Sequence, residues 1–279
     1  MSAVDRMLGV ARSIVVYHGI PFRQRRMRRL YSRFVAPGDV VFDVGAHAGN
    51  RVRAFAALGC RVVALEPQPD FAMLLRTLFR ASSRVEVVES AVGAREGRAA
   101  LAVSERTPTV TTLADEWREA RMSDDDFAGV RWNRRLDVAT TTLDALIARS
   151  GVPAFVKIDV EGHEASVLAG LSRPIAALSF EYLPGALDVV DRAIDRLTEL
   201  GAYEYNWSRG ESFTLASEEW VGGSELRRRL GGPEERRRSG DVYARLVRGW
   251  GHLPMESGLA FQPFATKVER QDRPPSRQD

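Results

Sequence analysis

"VVFDVGAHAGNRVRAFAALG", residues 40–59, decides the fold. Its first five residues are three valines, a phenylalanine and Asp43, the composition of a short strand buried on both faces. Gly45 and Gly49 mark a turn, and Asn50 to Gly59 reads as a helix stopped by its glycine. The next segments repeat the unit. "RVVALEP" (61–67) is a second strand ended by Pro67, and "DFAMLLRTLFR" (70–80) a second helix with Asp70 as its N-cap. "VEVVESAVG" (85–93) is a third strand. Alternation of this kind predicts right-handed crossovers and a parallel sheet, hence an α/β chain.

Further along, the pattern pauses between about 98 and 140. "RAALAVS" (98–104) reads as an extra strand, and the polar stretch 105–132 as a lid or binding loop. "TTLDALIARSG" (141–151) restarts the pattern as a helix. Strand 153–159, helix 164–170, strand "IAALSFEY" (175–182) and helix "ALDVVDRAIDRLTELG" (186–201) follow. "AYEYNWS" (202–208) and "ESFTLAS" (211–217) read as two closing strands. Upstream, "FRQRRMRRLYSRF" (22–34) places Met27, Leu30, Tyr31 and Phe34 on one helical stripe, with arginines on the other faces, before "APGD" breaks it. The organisation expected is a basic helical extension over 1–38, a main domain over 39–250, and a C-terminal extension over 251–279. The extension's end, "KVERQDRPPSRQD", has the composition of a disordered tail.

Composition narrows the classes. The chain has 279 residues, 44% of them hydrophobic, enough for one large α/β domain. A single cysteine, Cys60, excludes a disulfide framework and a cysteine zinc site. "MLGVARSIVVYHGI" (7–20) is broken by Arg12 and His18, too short to span a bilayer, and lacks a signal-peptide cleavage site, so a cytoplasmic protein is expected. The net charge is +3, yet residues 1–38 hold eight arginines against Asp5 alone, a local +7, so the remainder carries −4. The basic helix reads as a solvated helix covering the sheet; phosphate or peripheral contact with an anionic membrane is the alternative. Nucleic acid is not the expected acceptor. There is no N/D-P-P-Y/F motif and no interleaved aromatic platform, and the only thiol sits at the far end of a helix from the strand tips.

Ligands of an open parallel sheet bind beyond the carboxyl ends of its strands. Four strands here end in acids: Asp43, Glu66, Asp159 and Glu181. "DVGAHAGN" (43–50) departs from the G-x-G-x-x-G dinucleotide fingerprint, because His47 stands at the second glycine's position and Asp43 precedes the turn. Asp43 would repel a pyrophosphate but suits a cationic amino acid, and Glu66 is placed to accept from ribose hydroxyls. The pair fits S-adenosylmethionine better than NAD.

"VVFDVGAHAGN", "VVALEPQPDFAMLL", "ESAVG", "TTTLDAL" and "FVKIDVEGHEASVLAGL" together resemble the FkbM family of S-adenosylmethionine-dependent methyltransferases, in order and over roughly residues 35–185. The resemblance implies the class I methyltransferase (Rossmann-like) fold: a mostly parallel seven-stranded sheet, last strand antiparallel, with helices on both faces. It implies that Asp43, Gly45 and Ala46 line the methionine part of the cofactor. Glu66 would bind the ribose, Pro67 shape its turn, Ser90 and Ala91 border the adenine, and Asp159 lie near the amino group or the reacting methyl. His47 stands where the family commonly has Asn; histidine makes some of the same hydrogen bonds, but its charge state matters. Assigned members mostly methylate hydroxyls of sugars or other natural products. The expected activity is therefore O-methylation of a carbohydrate or glycosylated natural product, a small-molecule or glycan acceptor. A polyketide, peptide or RNA acceptor, or cofactor binding without transfer, are the alternatives.

Within "FVKIDVEGHE" (155–164), His163 is the general-base candidate by its ordinary pKa, with Asp159 its rival. Glu161 and Glu164 are placed to bind acceptor hydroxyls or to complement a helix N-terminus. Lys157 shares a face with Phe155 and Asp159 and would neutralise carboxylates. Asp159, Glu161 and Glu181 offer all-oxygen ligands for a divalent ion, but without a fixed ligand spacing no metal is expected. In "NWSRGES" (206–212), Trp207 is a candidate to stack on the acceptor, and Glu211 and Ser212 to bind its hydroxyls.

Overall fold

The protein was analysed as a computed structural model that describes residues 22–124 and 127–247. The expectations for 7–20 and for the C-terminal tail lie outside the described residues. The first helix, α1 (Arg23–Tyr31), buries Met27, Leu30 and Tyr31, as their spacing requires. Its Arg25, Arg26, Arg28 and Arg29 are exposed, but Arg23 is buried. Then come β1 (Val40–Val44), α2 (Asn50–Ala57), β2 (Arg61–Leu65), α3 (Pro69–Leu78) and β3 (Val85–Val88). The N-cap of α3 is Gln68, and Asp70 sits in its first turn instead.

The stretch 85–93 is not one strand. β3 stops at Val88, and Ala91–Val92 forms β4 of a separate three-stranded sheet ordered β4-β6-β5, with β5 (Gly97–Val103) and β6 (Arg134–Thr141) antiparallel. Ala91, Leu101, Val103 and Val138 of this small sheet form a core of their own, while Val92 packs into the main core. β6 was hidden because charged residues fill its other positions. Between these two strands lies α4 (Asp115–Arg121), inside the stretch expected to be irregular.

After α5 (Leu143–Ser150), which Thr142 caps by accepting from the Ala145 N–H, the chain runs β7 (Phe155–Ile158), α6 (Glu164–Ala169), β8 (Ala177–Tyr182), α7 (Leu187–Leu200), β9 (Tyr203–Arg209), α8 (Gly223–Leu230) and β10 (Gly240–Leu246). The main sheet is ordered β3-β2-β1-β7-β8-β10-β9. β10 runs antiparallel to both β8 and β9, and the pairs from β3 to β8 are parallel. The expected seven-stranded architecture is therefore present, but its antiparallel strand is 240–246. "ESFTLAS" is a loop, turned at Phe213 (φ 54°) and held by Asn206, whose amide donates to the Ser217 carbonyl.

Strand alternation divides the core in two. Phe42, Val44, Val156, Ile158, Leu178 and Phe180 face α5, α6, α7 and α8; Val41, Phe155, Ala177 and Tyr243 face α1, α2 and α3. Helices thus cover both faces. Among the described residues no helix is long and apolar enough to cross a membrane.

Candidate functional site

The tips of β1 and β7 meet at Gly45. Its φ is 85°, and a Cβ there would sit 1.9 Å from the carbonyl oxygen of Asp159, so only glycine fits. The N–H groups of Gly45 and Ala46 both donate to the Leu65 carbonyl, which ties the turn to β2. Glu66, 3% exposed, accepts from the His47 N–H at 2.8 Å and the Gln68 N–H at 2.9 Å. Burial raises its carboxyl to about 7 despite those two bonds. His47 stacks on Phe71 with ring centroids 4.0 Å apart, and burial lowers its pKa to about 4. Burial therefore favours the neutral imidazole at this position.

Asp43 is 1% exposed, its oxygens are buried, and the Val52 backbone lies towards them without closing a short hydrogen bond. Burial lifts its carboxyl to about 6, although Arg51 pulls the other way. A carboxylate in that state is poised for an incoming donor.

Beyond β7 the chain doubles back through Glu161 (φ 53°) and Gly162 (φ 89°). The stretch 105–132, expected to be a lid or binding loop, packs on this turn. Thr112 donates to the Glu161 carbonyl at 2.7 Å, and Trp117 of α4 lies where a Cβ on Gly162 would be, 2.3 Å away. Oxygens of Asp159, Glu161 and Glu181 lie within 4.8 Å of one another. Burial first, then mutual repulsion, raises the Glu161 and Glu181 carboxyls well above the ordinary range. Such a cluster needs shared protons, a cation or hydroxyl donors. Glu164 does not join it openly: its buried carboxyl accepts from the Val160 N–H and braces the turn. His163 is half-buried, and burial lowers its pKa. Its Nε2 stands 3.2 Å from the position of a Cβ on Gly93, towards the Ser90–Val92 end.

Every cofactor residue expected from the sequence (Asp43, Gly45, Ala46, His47, Glu66, Pro67, Ser90, Ala91 and Asp159) lines one open cavity of about 820 Å³, together with Glu161 and His163. The Ser90 hydroxyl donates to the Ala91 and Ala139 carbonyls, so it shapes the wall. Trp207 is not part of the site. It is 2% exposed and packs in the core on the opposite face of the sheet from Asp43 and Lys157, because Tyr203, Tyr205 and Trp207 alternate inwards. Glu211 is spent on arginines: it pairs with Arg23 and lies 3.9 Å from Arg51.

Arg51 is a wall residue that sequence reasoning missed. It sits 3.3 Å from Asp159, but "NRVR" looks like an ordinary helix start. Thr109, Thr111 and Thr112 of the lid were equally hidden in a stretch without periodicity. The cavity suits an amino acid joined to a nucleoside. A buried acid stands at one tip, a backbone-held acid at the next, and a glycine turn between them leaves room for close approach.

The family model described as "Methyltransferase FkbM domain" matches residues 43–201. Among curated proteins, none matches. Similar solved structures include the O-methyltransferase from Bacillus cereus in complex with SAH, with 12% identity, coverage of 86% of this chain and 90% of that chain, and a TM-score of 0.44. Another is the fibrillarin of Aeropyrum pernix with natively bound S-adenosyl-L-methionine, at 12% identity, 76% and 68% coverage, and a TM-score of 0.40.

Proposed function

The chain belongs to the FkbM methyltransferase domain family, and from that membership we propose that it transfers a methyl group from S-adenosylmethionine to a hydroxyl of a carbohydrate or glycosylated natural product. That it is a methyltransferase of the class I, Rossmann-like fold is the premise; the acceptor is the proposal. One observation carries the cofactor reading: Asp43 and Glu66, buried acids at neighbouring strand tips, open into the same cavity. Asp43 meets the ammonium of the methionine part, and Glu66 accepts from the ribose hydroxyls. Ala91 and the Ser90 backbone border the adenine.

When bound, the cofactor supplies an electrophilic methyl on a sulfonium centre. The chain's part is alignment, exclusion of water and removal of the acceptor proton. Alignment contributes ~7–11 kcal/mol in favourable cases, and a general base ~10²–10⁴-fold. Thr112 lines the cavity and ties its segment to the Glu161 carbonyl, while Trp117 packs on Gly162 behind it. Asp159 holds the donor, and His163, kept neutral by its lowered pKa, takes the proton. Glu161 and Glu181 accept from acceptor hydroxyls, work for which clustered carboxyls are suited.

A second reading gives the proton to Glu161 or Glu181. It is favoured by position, since both stand with Asp159 while His163 leans towards Gly93. His163→Ala separates the two: a fall of ~10²–10⁴ in turnover with cofactor affinity kept supports the histidine, and full turnover moves the role to the glutamates. The acceptor is found by incubating extracts with the enzyme and methyl-labelled cofactor. A labelled glycan or glycosylated metabolite is expected. A labelled polyketide, peptide or RNA assigns the alternative acceptor, and cofactor binding with no labelled product assigns a non-catalytic role.

A further inference from the structure

The sheet face that carries Asp43 also carries Lys157 on β7 and Asp241 on β10. Lys157 is wholly buried, a costly place for an ammonium. Its Nζ donates to Asp241 Oδ1 at 2.8 Å and to the Ile158 carbonyl at 2.9 Å, and lies 3.5 Å from Asp159 Oδ2. Arg51 reaches the same Asp159 oxygen at 3.3 Å and Asp241 Oδ2 at 3.8 Å. The Tyr243 hydroxyl donates to Asp241 Oδ2 at 3.4 Å. Two cations therefore converge on one oxygen of Asp159, a residue that lines the cavity. Burial opposes charge on Lys157, but Asp159 and Asp241 outweigh it and raise its pKa. Burial likewise opposes charge on Asp241, yet Lys157 and Arg51 hold its carboxyl below the ordinary range. A pair this deep adds little stability over two apolar side chains, so its place behind Asp159 calls for another account.

We infer that Lys157 and Asp241 are positioning residues for Asp159: Asp241 anchors the Lys157 ammonium, and Lys157 with Arg51 fixes the Asp159 carboxylate against the methyl donor. The inference rests on the reading that Asp159 contacts the donor. Without Asp241, Lys157 closes on Asp159, the other carboxylate within ion-pair distance of it. Without Lys157, Asp241 competes with Asp159 for Arg51. Either change moves the carboxylate, and a shift of about 1 Å at such a site costs on the order of 10²-fold.

Calorimetry with S-adenosylhomocysteine tests it on proteins whose folding is verified by melting. Asp159→Asn is measured first. If it leaves affinity unchanged, the reading of Asp159 fails and the inference falls with it. Lys157→Met/Asp241→Leu then removes both charges together, which keeps the core satisfied. Affinity is expected to fall roughly tenfold or more, and adding Asp159→Asn to this variant to cost less than about twofold further, because the carboxylate is already misplaced. A purely structural pair predicts wild-type affinity in the folded double variant and a full effect of Asp159→Asn on top of it; that result overturns the inference while leaving the role of Asp159 intact. Should the apolar pair not fold, the near-isosteric Asp241→Asn carries the same comparison, with the same expected loss and the same overturning result.

Discussion

Glu66 and Asp43, the acids proposed to meet the cofactor, both lose their protons later than ordinary carboxyls as pH rises. Their carboxyls are raised to about 7 and about 6, while ribose hydroxyls and an ammonium need the ionised forms. A raised carboxyl means the folded state keeps its proton longer than the unfolded one. The stability this brings is full below the ordinary carboxylate range and is lost as pH rises through about 6 to 7. Cofactor binding has the opposite slope, strengthening over the same window and levelling above it. Melting with and without S-adenosylhomocysteine should show a stabilisation that grows from pH 5.5 to pH 8; a constant increment would mean these acids do not face the ligand. Gly45→Ala forces a Cβ onto the Asp159 carbonyl and should destabilise by about 1–3 kcal/mol and abolish binding, read by melting and calorimetry. The Asp159–Glu161–Glu181 cluster is expected to share protons, so EDTA should leave turnover unchanged; loss that magnesium restores would assign it a cation. At this scale the sequence was informative, because an acid or glycine at a strand tip has few structural uses. Trp207 misled because a polar neighbourhood in sequence hid an inward-facing strand position.

At the scale of elements, α1 and the lid separate into working and solvated parts. Arg25, Arg26 and Arg29 are exposed and do not line the cavity, so reversing their charge should leave cofactor affinity nearly intact. Arg23 differs: it is buried and pairs with Glu211, which lies near Arg51. Arg23→Ala should weaken binding where the triple reversal does not, and equal effects in calorimetry would refute this division. In the lid, Trp117 packs on Gly162 and edge-on against Phe127 and Trp132. Trp117→Ala should release the segment, seen as faster tryptic cleavage within 105–134 and weaker cofactor binding; unchanged cleavage would show that other contacts hold it. Periodicity revealed α1, α7 and the parallel strands, whose apolar faces are continuous. It missed β6 and β10, where buried or paired charges such as Asp241 interrupt the pattern, and misread "ESFTLAS", whose alternation serves a loop pinned by Asn206.

For the whole molecule, the family match over 43–201 covers the strands and turns that build the cavity, and the antiparallel β10 beyond it completes the sheet. The parallel pairing follows from the alternation and the crossover rule, whereas the ion pairs behind the site join residues far apart in sequence, Lys157 with Asp241 across 84 positions and Arg51 with Asp241 across more, and no local pattern announces them. All of the proposed chemistry requires the donor to sit across the tips of β1 and β2. Calorimetry of S-adenosylhomocysteine with the wild-type chain, Asp43→Ala and Glu66→Ala measures this. The wild type should bind, each folded variant should bind more weakly, and NAD should not bind; unchanged affinity in both variants would refute the placement.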